Sequence, residues 1–123
     1  MKVPSLTNLS VEEILAIYVD AGVKQHDAIM VDRIGTFNRL CDILIAVEAE
    51  LKGRPGDQRT AFLTLFDHSN WQVKLNAARA AAAVAPDHAR QMLQEIRASQ
   101  LEPQAADAGM FIRAMEDGIL TPT

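Results

Sequence analysis

Three histidines, one cysteine and one tryptophan are the side chains of this chain best suited to chemistry. His26, His68 and His88 suggest a metal, the more so because Asp67-His68 and Asp87-His88 repeat one dipeptide. Spacing argues against that reading. His68 ends one predicted helix and His88 begins the next but one. The helix of about 15 residues between them sets the two roughly 20 Å apart at 1.5 Å per residue. Metal–ligand bonds are ~2 Å long, and His26 belongs to another turn. The expectation is no metal and no cofactor, with the histidines capping or terminating helices.

Cys41 falls mid-helix on an apolar-leaning face, where a small core residue is expected rather than a nucleophile with a base in reach. The pairs Glu48/Glu50 and Glu116/Asp117 are too close in sequence to share one helix face, so they read as solvated surface. No glycine loop for phosphate and no local Ser/His/Asp motif is present in the sequence. An enzyme is therefore not expected. What is left is a surface. Gln72, Asn76 and Arg79 step as i, i+4, i+7 along one helix face, and Trp71 sits beside them as an anchor or as a cover for a seam. Asn38 and Asp42 before the stripe, and Asp107 and Phe111 after it, are placed to extend it. The expected partner-binding residues are Asn38, Asp42, Trp71, Gln72, Asn76 and Arg79.

Six helices in three pairs are expected to position these residues. Ser10 with Glu13 is a capping-box spacing ahead of Val11, Ile14, Leu15, Tyr18 and Val19, with Gly22 ending or fraying that helix. A longer helix is expected from about Asp27 to Lys52, with Phe37, Leu40, Leu44, Val47 and Leu51 as its stripe. Met30, Ile34 and Cys41 widen that stripe, and Gly53-Arg54-Pro55-Gly56 stops the helix. Asp57 caps a third helix that ends near Asp67 and buries Phe62, Leu65 and Phe66. Asn70 caps a fourth that reaches about Ala85. Pro86 opens a fifth, with Ala89, Met92, Leu93 and Ile96 inward. Pro103 opens a sixth, closing near Gly118, with Ala105, Ala108, Ile112 and Met115 on one face. No strand alternation occurs.

Length and charge bound the rest. A chain of 123 residues suffices for one packed domain, residues 1–123, in three hairpins over 10–53, 57–85 and 86–118. No hairpin can hide its apolar faces alone, so the expected architecture is all-α, a stacked α-α superhelix. The net charge of −4 disfavours general capture of nucleic acid. Residues 54–99 carry a small excess of +2 between acidic ends of −3 each, which is ordinary scatter. One cysteine excludes an intrachain disulfide, and neither a signal peptide nor a span of ~20 apolar residues is recognisable. A cytoplasmic protein without a membrane is expected.

The segment from Asp57 to Arg97 resembles a HEAT repeat followed by the first helix of another. The likeness rests on the Asp67–Asn70 turn, the Val73-Lys74 pair and Ala77-Ala78. HEAT repeats usually carry arginine where this chain has Lys74, which keeps the charge but not the bidentate geometry. Phe37-Asn38-Arg39-Leu40, Gly56-Asp57, His68 to Ala78, and Pro103-Gln104-Ala105 through Gly118 also resemble a family of short uncharacterised bacterial HEAT-like proteins of unknown function. That resemblance implies a curved helical surface and carries no catalytic residue across. The expected function is a non-enzymatic protein–protein interaction module with an unknown protein partner. The alternatives are a nucleic-acid-binding HEAT-like protein, or an immunity or inhibitor-type protein neutralising a neighbouring enzyme. Ile43 and Ile45, outside the main stripe, make a homodimer one way of covering leftover apolar surface.

Overall fold

A computed structural model describes residues 3–123. Among them every regular element is helical, so the fold is all-α. The elements are α1 (Val11–Met30), α2 (Ile34–Gly53), a 3-10 helix (Gln58–Asp67), α3 (Trp71–Ala81), α4 (Pro86–Ala98) and α5 (Gln104–Glu116). The chain gathers into two compact units, one ending at Ala61 and the other beginning at Phe62.

In the first unit α1 packs on α2. The capping box at Ser10 is present: the Ser10 hydroxyl accepts the Glu13 N–H at 3.1 Å, and Glu13 Oε1 accepts the Ser10 N–H at 3.0 Å. Gly22 does not end α1, which runs on to Met30. A glycine costs a helix interior only ~1 kcal/mol. The buried series Ile14, Tyr18, Ala21, Gln25 and Ala28 continues the same face past it. The break falls instead at Asp32, whose φ of 57° puts it in the left-handed region. There the Asp32 N–H donates to the Ile29 carbonyl at 3.2 Å and the Arg33 N–H to the Ala28 carbonyl at 2.8 Å. These are the two bonds of a Schellman ending with aspartate in the usual place of glycine. The second helix therefore starts at Ile34, not Asp27, and buries Leu40, Ile43, Leu44, Val47 and Leu51. Met30 and Ile34 lie outside its stripe and are exposed.

The third predicted helix is a 3-10 helix of ten residues. Its buried pair, Phe62 and Leu65, is spaced by three, the spacing that stacks side chains at three residues per turn. In the second unit α3, α4 and α5 pack together around Leu75, Ala78, Met92, Leu93, Ile96, Ala108 and Ile112. Asn70 caps α3, its Oδ1 accepting the N–H groups of Gln72 at 2.9 Å and Val73 at 3.2 Å. That helix ends at Ala81 rather than Ala85. Pro86 disfavours helical geometry in the residue before it, and Ala85 takes φ −142°, ψ 65°. Gly118, at φ 73°, closes α5 with a second Schellman pair: its N–H reaches Met115 at 3.2 Å and the Ile119 N–H reaches Ala114 at 3.0 Å.

Candidate docking surfaces

The titratable groups with displaced protonation are accounted for by local structure. The Ser10 backbone N–H and then its hydroxyl hold the Glu13 carboxyl below the usual carboxylate range. Arg59 does the same to Asp57 through two bonds, Nε to Oδ1 at 2.9 Å and Nη2 to Oδ2 at 2.7 Å. Asp57 in turn pushes the Arg59 guanidinium up. His68 turns its Nδ1 to the Asn70 N–H at 3.0 Å, a turn role. Gln25 donates to Cys41 Sγ at 3.3 Å from a buried position on α1. Tyr18, fully buried, donates to Glu48 at 2.7 Å. No group of three His, Cys, Asp or Glu side chains suited to a metal occurs among the described residues.

The residues expected to form one contact surface divide. Asn38 and Asp42 are exposed on α2, in the first unit. Trp71, Gln72, Asn76 and Arg79 share α3, but they do not form a solvent-facing stripe. Gln72 and Asn76 are only 1% and 3% exposed. The Gln72 amide donates to Asn76 Oδ1 at 3.0 Å, and the Gln104 amide of α5, itself buried, donates to Gln72 Oε1 at 3.0 Å. Half-buried Arg79 donates to the same Asn76 oxygen at 3.2 Å. Each amide is thus committed to a buried polar ladder, because an unpaired buried amide costs ~1–3 kcal/mol. Trp71 packs half-buried against the core of the second unit, with Lys74 Nζ 4.1 Å from its ring centroid. That contact is a cation–π pair.

Two surfaces escaped the sequence reading. At the α1–α2 turn Met30, Val31 and Ile34 are 72%, 62% and 67% exposed. They flank an open hollow lined by Lys24, Asp27, Ala28, Val31, Arg33, Thr36 and Leu40. Counting Met30 and Ile34 into a helix stripe concealed them, since only a break at Asp32 turns them outward. Between α4 and α5 lies a groove of about 510 Å³ lined by Arg97, Gln100, Glu102, Gly109, Met110 and Arg113 among others. Gly109 is its sequence signal. A methyl group there would sit 3.6 Å from Arg97 Cδ, an ordinary van der Waals contact, so the Arg97 stem passes close over α5 at this position. None of the helices among the described residues is long and apolar enough to cross a membrane.

The geometry has a close counterpart. The crystal structure of the protein RPA1889 from Rhodopseudomonas palustris CGA009 superposes with a TM-score of 0.95 at 41% identity. The alignment covers 98% of this chain and 99% of that one. Among curated proteins none matches. Residues 12–116 match the family described as Domain of unknown function (DUF2019), a span that takes in all of the helices but the first residue of α1. With most of its length matched, the chain belongs to the DUF2019 family.

Proposed function

We propose that this chain is a non-enzymatic, cytoplasmic HEAT-like module whose helical surface holds a protein partner. The observation that carries the reading is the turn at Met30, Val31 and Ile34. Three large apolar side chains stand about two-thirds exposed within five positions of sequence. Apolar surface left in water forgoes about 25 cal/mol per Å² relative to burial, and contiguous exposed patches mark places where another surface docks. The turn that displays them is held by two backbone hydrogen bonds, so the patch is presented on a fixed frame.

The test is affinity capture from the source cell with the native chain and with a Met30→Ser/Val31→Ser/Ile34→Ser variant whose helicity matches it. A partner polypeptide retained in stoichiometric amount by the native chain and released by the variant is the expected result. Retention of no polypeptide by the native chain, or capture of nucleic acid in place of protein, rejects the reading, and equal retention by both proteins rejects the turn as its surface.

A further inference from the structure

We propose that the α4–α5 groove docks an acidic segment of a protein partner. Its carboxylate is taken by the Arg97 and Arg113 guanidinium groups, and a neighbouring apolar side chain is laid on Met110. The inference rests on the interaction-module reading and names a second surface for it. Arg54, Arg59 and Arg90 each pair with a carboxylate of this chain. Arg97 and Arg113 are exposed, and neither guanidinium has a partner among the described residues. The acids of the groove are already engaged. Glu116 accepts from Arg90 Nη1 at 2.9 Å, and Glu102 Oε1 accepts the Ala106 N–H at 2.8 Å. The groove therefore offers two unused cations and no unused carboxylate.

Their placement suits one carboxylate. The Arg97 stem crosses α5 at Gly109, and Arg113 is four residues on, where side chains share a helix face about one turn away. Arginine presents planar donors that grip a carboxylate two at a time. Met110, 70% exposed beside them, supplies an apolar contact that a bare anion would not use. A nucleic-acid backbone fits less well. It is held by many cations at once, whereas this groove is lined by two, Arg97 and Arg113.

A short synthetic peptide alternating leucine and glutamate is the probe, followed by amide chemical shifts and fluorescence anisotropy on the full chain. The expected result is saturable shifts centred on Arg97, Gly109 and Arg113. Arg97→Gln/Arg113→Gln should weaken binding about tenfold or more, the equivalent of one lost charge-assisted contact. Met110→Glu, which adds a repelling carboxylate without touching either arginine, should weaken it as well, while Lys24→Gln on α1 should not. Equal binding of the leucine–glutamine peptide, shifts centred elsewhere, or an oligothymidylate that occupies the groove when the peptide does not, would overturn the assignment. A silent peptide combined with continued partner loss in the Met30/Val31/Ile34 variant would remove this groove alone and leave the module reading standing.

Discussion

The amide of Gln104 donates to Gln72 across 32 positions of sequence, joining the first turn of α5 to the first turn of α3 inside the second unit. Both side chains are at most 3% exposed, and no buried side-chain nitrogen or oxygen among the described residues lacks a partner. A satisfied buried ladder of this kind fixes the placement of two helices more than it adds stability, because its bonds replace bonds to water.

Gln72→Ala should therefore cost about 1–3 kcal/mol, most of it from stranding the Gln104 amide, since Asn76 Oδ1 keeps its bond from Arg79. Replacing both ends, as Gln72→Ala/Gln104→Ala, should cost less than Gln72→Ala and Gln104→Ala summed. The coupling expected of groups in direct contact is about 1 kcal/mol. Urea unfolding of the four proteins of the cycle reads it directly. Strict additivity would mean that the two glutamines act independently.

Asp32 gives a prediction of opposite sign. At φ 57° it bears the left-handed penalty of about 1–2 kcal/mol for a residue with a Cβ. It also places a negative charge at the carboxyl end of α1, where the helix dipole disfavours it. Asp32→Gly removes both penalties and gives back part of the gain as freedom in the unfolded chain. A net stabilisation of about 0.5 kcal/mol is expected, seen as a higher urea midpoint at unchanged slope. A lower midpoint would show that the aspartate side chain itself supports the turn.

These two sites mark where the sequence was not legible, and the helix starts mark where it was. Ser10 with Glu13 and Asn70 announce helix starts because a cap is a contact between residues two or three apart, visible in one window, and Pro86 announces one by its missing N–H at the first helical position. The stripe of Ala89, Met92, Leu93 and Ile96 is legible for the same reason, as period alone places it inward. Asp32 is not, since backbone bonds hold its turn and aspartate is no more typical there than in a loop. Gln72 and Asn76 have the spacing of a solvated stripe, and what buries their polarity includes Gln104, a partner no local pattern reveals. The α4–α5 groove hides similarly, because it joins Arg97 of α4 to Gly109, Met110 and Arg113 of α5, residues that no local window brings together.

Acid should weaken the fold in part through Asp57 and Glu13. Each carboxyl titrates lower in the folded chain than in the unfolded one, the first through Arg59 and the second through Ser10. The unfolded state then binds protons first as pH falls, so their contribution is complete above the ordinary carboxylate value of about 4 and is lost as pH drops through the lower folded value. Asp57→Asn keeps a residue that tolerates a positive φ, here 52°, but removes the charge gripped by Arg59. Thermal midpoints followed from about pH 5 to pH 2 should fall less steeply in the variant than in the native chain. Parallel curves would place the acid sensitivity elsewhere.

Arg54 ties the segment before α1 to the end of α2. Its Nη2 donates to the carbonyls of Leu6 at 3.1 Å and Leu9 at 2.7 Å, while its Nε holds Glu50 at 2.8 Å. Leu6, 6% exposed, is the apolar foot of that segment. The salt bridge is partly solvated and adds little by itself, so the weight falls on the two carbonyls, which only a forked side chain can meet together while holding a carboxylate. Arg54→Ala should cost about 2 kcal/mol and raise hydrogen exchange at the Leu9 amide, whose bond to the Leu6 carbonyl at 3.1 Å depends on that carbonyl staying in place. Arg54→Lys keeps the charge without the fork and should recover less than half of the loss. Full recovery by lysine would show that charge, not geometry, anchors the segment.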